Sequence, residues 1–232
     1  MNYIISKIAF RPPETTYDLT LSYLHFVERN DYFIPIRKYH ISSSLPVMLI
    51  CQGNAEDIGM SDPKQLSKDF NVNVCLFDYA GYGLHTVKYS SESECRKDVV
   101  AVYNYLRNDY NEIIIYGRSL GSGVATYLSY LLCKQQIPNK LILISPLYSC
   151  VNILTNINIP GDIFKNYTYA PFINSKVLII HGDSDNIVPY TCGKNLSLLF
   201  QNCKFITVKN CGHNDILMKY DIKDIIEFIN ND

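Results

Sequence analysis

The chain has 232 residues, of which 47% are hydrophobic and 19% charged, ample for a sizeable core and too apolar for a disordered segment. That length suits one domain, since α/β folds run to about 200–250 residues as a unit. A formal net charge of -1 offers no electrostatic footprint for nucleic acid, and no apolar run approaches the ~18 residues of a membrane helix.

The opening "MNYIISKIAFRPP" has too short an apolar stretch for a secretory signal and no small-residue cleavage site. Asn2 and the ending "INND" offer no myristoylation or prenylation motif, so a cytoplasmic protein is expected. Two β-like segments follow, "LTLSYLHFV" and "FIPIRKYHIS", around the polar turn "ERNDY". From residue 46 the pattern changes to short, continuously apolar runs: "VMLIC", "VNVCLFDY", "EIIIYG", "LILIS", "VLIIHG" and "KFITV". Such runs suit strands buried on both faces of a parallel sheet.

Helix-like stretches separate most of them. Ser61 and Pro63 open one, and Ser91-Glu92-Ser93-Glu94 reads as a capping box for the next. A third begins at Ser119 and carries Val124, Leu128, Leu131 and Leu132 inward; the last covers roughly 215 to 229. Strands alternating with helices predict a mostly parallel, doubly wound α/β sheet with ligands at the C-terminal strand ends. Residues 146 to 175 lack the βα period and read as a small cap on a single domain spanning 1–232. The eight cysteines contain no C-x-x-C pair and read as buried, reduced thiols. Asn166-Tyr167-Thr168 and Asn195-Leu196-Ser197 are read as chance matches to the glycosylation sequon.

The chemistry gathers at strand ends. In Gly117-Arg118-Ser119-Leu120-Gly121 a serine sits between two glycines directly after a strand, the pattern of a nucleophile elbow. Asp185 follows "VLIIHG", and His213 follows "KFITVKN". A serine hydroxyl becomes a useful nucleophile when an imidazole takes its proton and a carboxylate fixes that imidazole's tautomer. The developing oxyanion needs donors, assigned to the backbone N–H of Leu120, at the start of its helix, and of Asn54, in the loop Gln52-Gly53-Asn54-Ala55.

Other readings of the same residues exist. Ser119 could merely cap a helix. Asp183 competes with Asp185 for the acid role, and His181, Asp183, Asp185 and His213 could be imagined as a metal site, though the elbow would then have no purpose. Asp215 reads as a helix N-terminal charge, His181 as a structural hydrogen-bonder and Cys211 as a bystander. The cap residues Tyr148, Ile153, Leu154, Ile157, Ile159 and Phe164 suit either satellite core or an acyl groove.

"QGNAED", "FDYAGYG", "YGRSLGSG", "HGDSDNIVP" and "CGHND" together resemble the α/β-hydrolase superfamily, whose triad runs in the chain order Ser, Asp, His. With "KIAFRPPETTY" and "SPLYS" they are most similar to the branch of serine hydrolases that includes protein depalmitoylases. The resemblance implies Ser119 as nucleophile, Asp185 as orienting acid and His213 as general base, with no metal or cofactor. It implies an acyl ester or thioester substrate, S-acylated proteins among them; the family's membrane anchoring is not inherited, and peripheral contact with membranes stays open. Carboxylesterase or lysophospholipase activity is the alternative, and a catalytically silent binding module a further one. Two departures stand out: Gln52 replaces the family's usual histidine, and no cysteine precedes Cys51 to carry the N-terminal acyl anchor of the depalmitoylases.

Overall fold

The computed structural model describes residues 9–153 and 161–231. Among these, eight strands form one sheet: β1 Leu24–Arg29, β2 Tyr32–Tyr39, β3 Val47–Cys51, β4 Asn73–Phe77, β5 Ile113–Arg118, β6 Lys140–Ile144, β7 Lys176–Gly182 and β8 Cys203–Val208. Their spatial order is β1-β2-β4-β3-β5-β6-β7-β8. β2 is antiparallel to both β1 and β4, and every pairing from β4 to β8 is parallel. The β1–β2 turn is the pair Asn30-Asp31, both at positive φ, which matches the twist of a tight hairpin. β1 starts later than the alternating pattern suggested, because Tyr23 just before it also takes positive φ.

The continuous apolar runs are explained by burial on both sides. Ile113 and Ile115 of β5 face one core with Leu141, Leu143, Val177 and Ile179, while Ile114 and Tyr116 face the other with Ile142, Ile144, Leu178 and Ile180. Helices α2 (Glu92–Leu106), α3 (Gly121–Lys134) and α5 (Tyr190–Ser197) cover the first face. Helices α1 (Pro63–Phe70), α6 (Ile216–Lys219) and α7 (Lys223–Asn230) cover the second. Each buried aliphatic side chain contributes about 1.5–3 kcal/mol, so the two-faced sheet is the main source of stability.

The helix signals resolve in detail. α1 is capped by Asp62, not Ser61, through a 3.0 Å bond from Lys64 N–H, with Pro63 in the first turn. Ser91 Oγ accepts from Glu94 N–H at 3.1 Å, but the Glu94 carboxylate pairs with Arg29 and Lys97 instead of closing the capping box. The C-terminal segment is two helices, α6 and α7, because Tyr220 is extended (φ -100°, ψ 132°). α5, which the sequence pattern did not single out, packs Cys192 and Leu196 into the core.

Within 146–175 lie a 3₁₀ turn at Val151–Ile153, the short helix α4 (Asn166–Tyr169) and a second 3₁₀ turn at Ala170–Phe172. Leu154, Ile157, Ile159 and the Ile153 side chain fall outside the described residues. Phe164 corrects the groove expectation: it is 1% exposed, with its ring against Gly123 and 5.7 Å from that of Phe10. It is core. Asn166 is likewise buried, donating to Leu147 O at 2.9 Å, which takes it out of reach of glycosylation. Among the described residues no helix is long and apolar enough to cross a membrane.

Candidate active site

The third helix does not begin at Ser119. Ser119 and Leu120 form the turn between β5 and α3, and Ser119 takes φ +52°, a left-handed backbone that a serine adopts only under constraint. The constraint is visible. Ser119 N–H donates to Ile144 O at 3.0 Å, and buried Ser122 donates its hydroxyl to Ser119 O at 2.6 Å. The flanking glycines allow close approach: a Cβ on Gly117 would stand 2.6 Å from Ala125 Cβ, and one on Gly121 would collide with the carbonyl oxygens of Cys51 and Gln52. The end of β3 thus abuts the first turn of α3.

The structure brings Ser119, His213 and Asp185 together from the ends of β5, β8 and β7. His213 Nε2 lies 3.0 Å from Ser119 Oγ, and His213 Nδ1 lies 2.7 Å from Asp185 Oδ2. All three are buried to within a tenth of their surface. With the proton on Nδ1, the imidazole donates to Asp185 and leaves Nε2 to accept the serine proton. Asp185 Oδ1 accepts from Ile187 N–H at 2.9 Å and Val188 N–H at 2.8 Å. Burial alone would push the Asp185 carboxyl up. The adjacent His181 ring, the hydrogen bond from His213 and the Val188 N–H outweigh it and hold the carboxyl well below the usual carboxylate range. His181 is fully buried; its Nε2 donates to Val188 O at 3.0 Å and stands 3.3 Å from Asp185 Oδ2. The "HGDSDNIVP" loop is therefore a cradle for one carboxylate.

Asn54 and Leu120 flank the elbow, and neither backbone N–H donates to another group among the described residues. The loop of Asn54 is pinned by side chains. Asn54 Oδ1 accepts from Arg11 N–H at 2.9 Å and Tyr82 O–H at 2.7 Å, while its Nδ2 donates to Ala9 O at 2.6 Å. Gln52 Nε2 donates to Asp57 O at 3.1 Å, and Gln52 O accepts from Tyr79 O–H at 2.7 Å. Gln52 is thus a brace within the loop.

Arg118 has a role that the sequence did not disclose. Its guanidinium pairs with Glu56, which accepts from Gly53 N–H at 2.9 Å, and donates to Asn214 Oδ1 at 2.7 Å. One side chain beside Ser119 thereby ties the Asn54 loop to the His213 loop. Ser122 was also missed, for a buried serine one turn into a helix carries no sequence signal.

The remaining candidates stand apart. Asp183 Oδ1 accepts from Asn210 N–H at 2.7 Å and from Ser184 O–H at 2.9 Å, away from the imidazole. Among the described residues no three His, Cys, Asp or Glu side chains are grouped to hold a metal. Asp215 precedes α6 and pairs with Lys219 at 2.5 Å. The Cys211 thiol is buried, which pushes its pKa up. Tyr148 is half-buried and stacks on Tyr167 at 5.0 Å between centroids.

No family model matches the chain. Alpha/beta hydrolase domain-containing protein 17B of Xenopus laevis is 30% identical, over 92% of this chain and 85% of its own. An alpha/beta hydrolase of Acanthamoeba polyphaga mimivirus is 32% identical over 71% of this chain and 64% of its own. The lysophosphatidylserine lipase of Xenopus tropicalis is 32% identical over 67% of this chain; the chain spans about half of that protein (47%). Among solved structures, the enol-lactonase of Burkholderia xenovorans superposes with TM-score 0.70 at 14% identity, covering 89% of this chain and 100% of that one. Est1E of Butyrivibrio proteoclasticus with ferulic acid bound gives TM-score 0.65 at 17% identity, covering 88% and 96%. At such identities the likeness shows the fold alone.

Proposed function

The chain belongs to the α/β-hydrolase superfamily, and from that premise we propose that it is a serine hydrolase that cleaves long-chain acyl thioesters and esters, S-acylated proteins among them. The observation that carries the reading is the unbroken relay from Ser119 Oγ through His213 to Asp185, with the serine held at positive φ. Ser119 Oγ bonds to the substrate carbonyl carbon as its proton passes to His213 Nε2. The oxyanion is held by the N–H groups of Leu120 and Asn54. The carbon–sulfur or carbon–oxygen bond then breaks, and His213 gives its proton to the leaving atom. Water attacks the acyl-enzyme, passing a proton to His213; the carbon–Oγ bond breaks, the acid departs and Ser119 recovers its proton. The cycle calls for no metal or cofactor.

The motifs shared with the depalmitoylase branch support a protein-borne thioester, met at a membrane from the cytoplasmic side. A second reading, hydrolysis of lysophospholipid esters by the same three residues, is favoured by the likeness to the lysophosphatidylserine lipase. A fluorophosphonate probe tests the common core: it labels the native protein and neither the heat-denatured protein nor Ser119→Ala. Equal labelling of Ser119→Ala, or none of the native protein, overturns the reading. Rates on palmitoylated peptide against lysophosphatidylserine separate the two substrates.

A further inference from the structure

A cavity opens beside His213, and none of the described residues of 146–175 lines it. It has a volume of about 600 Å³ and sits on the opposite side of the sheet, between α1 and α6. We propose that this cavity is the binding site for the acyl chain, so that the chain runs down between α1 and α6 while the protein or headgroup it leaves stays outside. The inference rests on the serine-hydrolase reading above.

Continuity is the first argument. His213, 3.0 Å from the nucleophilic oxygen, lines the cavity together with Gln52 and Asn54 of the adjoining loop. A chain attached to the carbonyl carbon that bonds Ser119 Oγ starts at this mouth. The second argument is the wall. Leu66 and Phe70 of α1 face Ile216 and Leu217 of α6 across the cavity, with Tyr116 from the sheet. Its charged lining residues, Arg118 and Glu56, neutralise each other in an ion pair, so an ionic ligand finds no unpaired partner there.

The rim is the third argument. Met60 and Met218 are 50% and 87% exposed. Exposed apolar groups around a cavity call for an apolar ligand, and the flexible thioether side chains adapt to its shape. Size also discriminates. The volume falls within the ~300–1,000 Å³ typical of small-ligand sites, enough for an alkyl chain and far too small for a protein leaving group. On the other side of the sheet Phe164 is core, and Tyr148 is stacked on Tyr167.

The test uses the full chain with Leu217→Glu, with Met60→Glu at the exposed rim and with Tyr167→Asp on the opposite side. The ratio of kcat/KM for palmitoyl over butyryl thioester should fall about tenfold or more in the first two and hold in Tyr167→Asp. Separately, calorimetry should show a hexadecyl thioether analogue binding to the Ser119→Ala protein, about tenfold more weakly once Leu217→Glu is added. A ratio insensitive to Leu217→Glu but lowered by Tyr167→Asp places the chain beneath 146–175 and overturns the inference, as does an analogue that fails to bind. Thioether binding that depends on Leu217 in a protein that no fluorophosphonate labels leaves the cavity standing and removes the hydrolase reading instead.

Discussion

Ser119 pays a conformational cost for its position: a non-glycine residue at φ +52° costs about 1–2 kcal/mol relative to an ordinary backbone. That cost can be read separately from the chemistry. Ser119→Gly and Ser119→Ala both remove Oγ, but only alanine retains the strain. The glycine variant should therefore be about 1 kcal/mol more stable than the alanine variant in urea unfolding, with both inactive. Equal stabilities would mean that the elbow carries no strain. The two aspartates separate as cleanly. Asp185→Asn should lower kcat by roughly 10⁴, the order expected when the imidazole loses its tautomer-setting carboxylate. Asp183→Asn, at a side chain that accepts only from Asn210 and Ser184 and can still do so through its amide oxygen, should cost less than tenfold. Steady-state rates in the reverse order would move the acid to Asp183.

At the scale of elements, the elbow works because β3 and α3 touch. Gly121→Ala would drive a methyl into the Cys51 and Gln52 carbonyls, so it should cost about 1–3 kcal/mol of stability and most of the turnover, since both sides of the oxyanion site must separate. A fully active Gly121→Ala protein would show that this contact is dispensable. The same contacts explain which parts of the site could be read in the sequence. Ser119, Asp185 and His213 could be singled out because each follows an apolar strand, and strand ends share one edge of a parallel sheet. The co-occurrence of "PPETTY", "NAED" and "FDY" also has a physical basis. Thr16 N–H donates to Asp57 at 2.7 Å, Tyr17 O–H donates to Asp78, and Ile58 N–H donates to Asp78 at 2.9 Å. The N-terminal segment is thus stapled to the loops after β3 and β4. The Arg118–Glu56–Asn214 strap was not legible, since its members lie 62 and 96 positions apart and the motifs that contain them do not record a pairing between them. Nor was the inward turn of Phe164, whose neighbour Gly123 reads as a helical residue like any other.

Across the whole molecule, the sheet that orients the strand ends also buries ionisable groups, which gives its stability a pH signature. Burial, against bonds from Tyr17 and Ile58 and with the Asp57 charge adding to it, pushes Asp78 up to about 7. The folded state therefore holds a proton that the unfolded chain releases near 3.8, and this stabilisation is lost as pH rises through about 7. Asp185 works in the opposite sense: its stabilisation is present above the ordinary carboxylate range and is lost on acidification below it. Urea midpoints should consequently decline between about pH 4 and 7, and Asp78→Asn should flatten that decline. An unchanged slope in Asp78→Asn would mean that Asp78 titrates normally. The fold class follows from the apolar runs, whereas the strand order, the break at Tyr220 and the helix Tyr190–Ser197 depend on packing that periodicity does not record. Acyl transfer at these strand ends is the core of the proposed function. The direct measurement is peptide mass spectrometry of the protein quenched during turnover of a palmitoyl thioester. One palmitoyl group should be found on the peptide bearing Ser119 and be absent from Ser119→Ala. Continued turnover with no adduct, or with the acyl group on another residue, would contradict it.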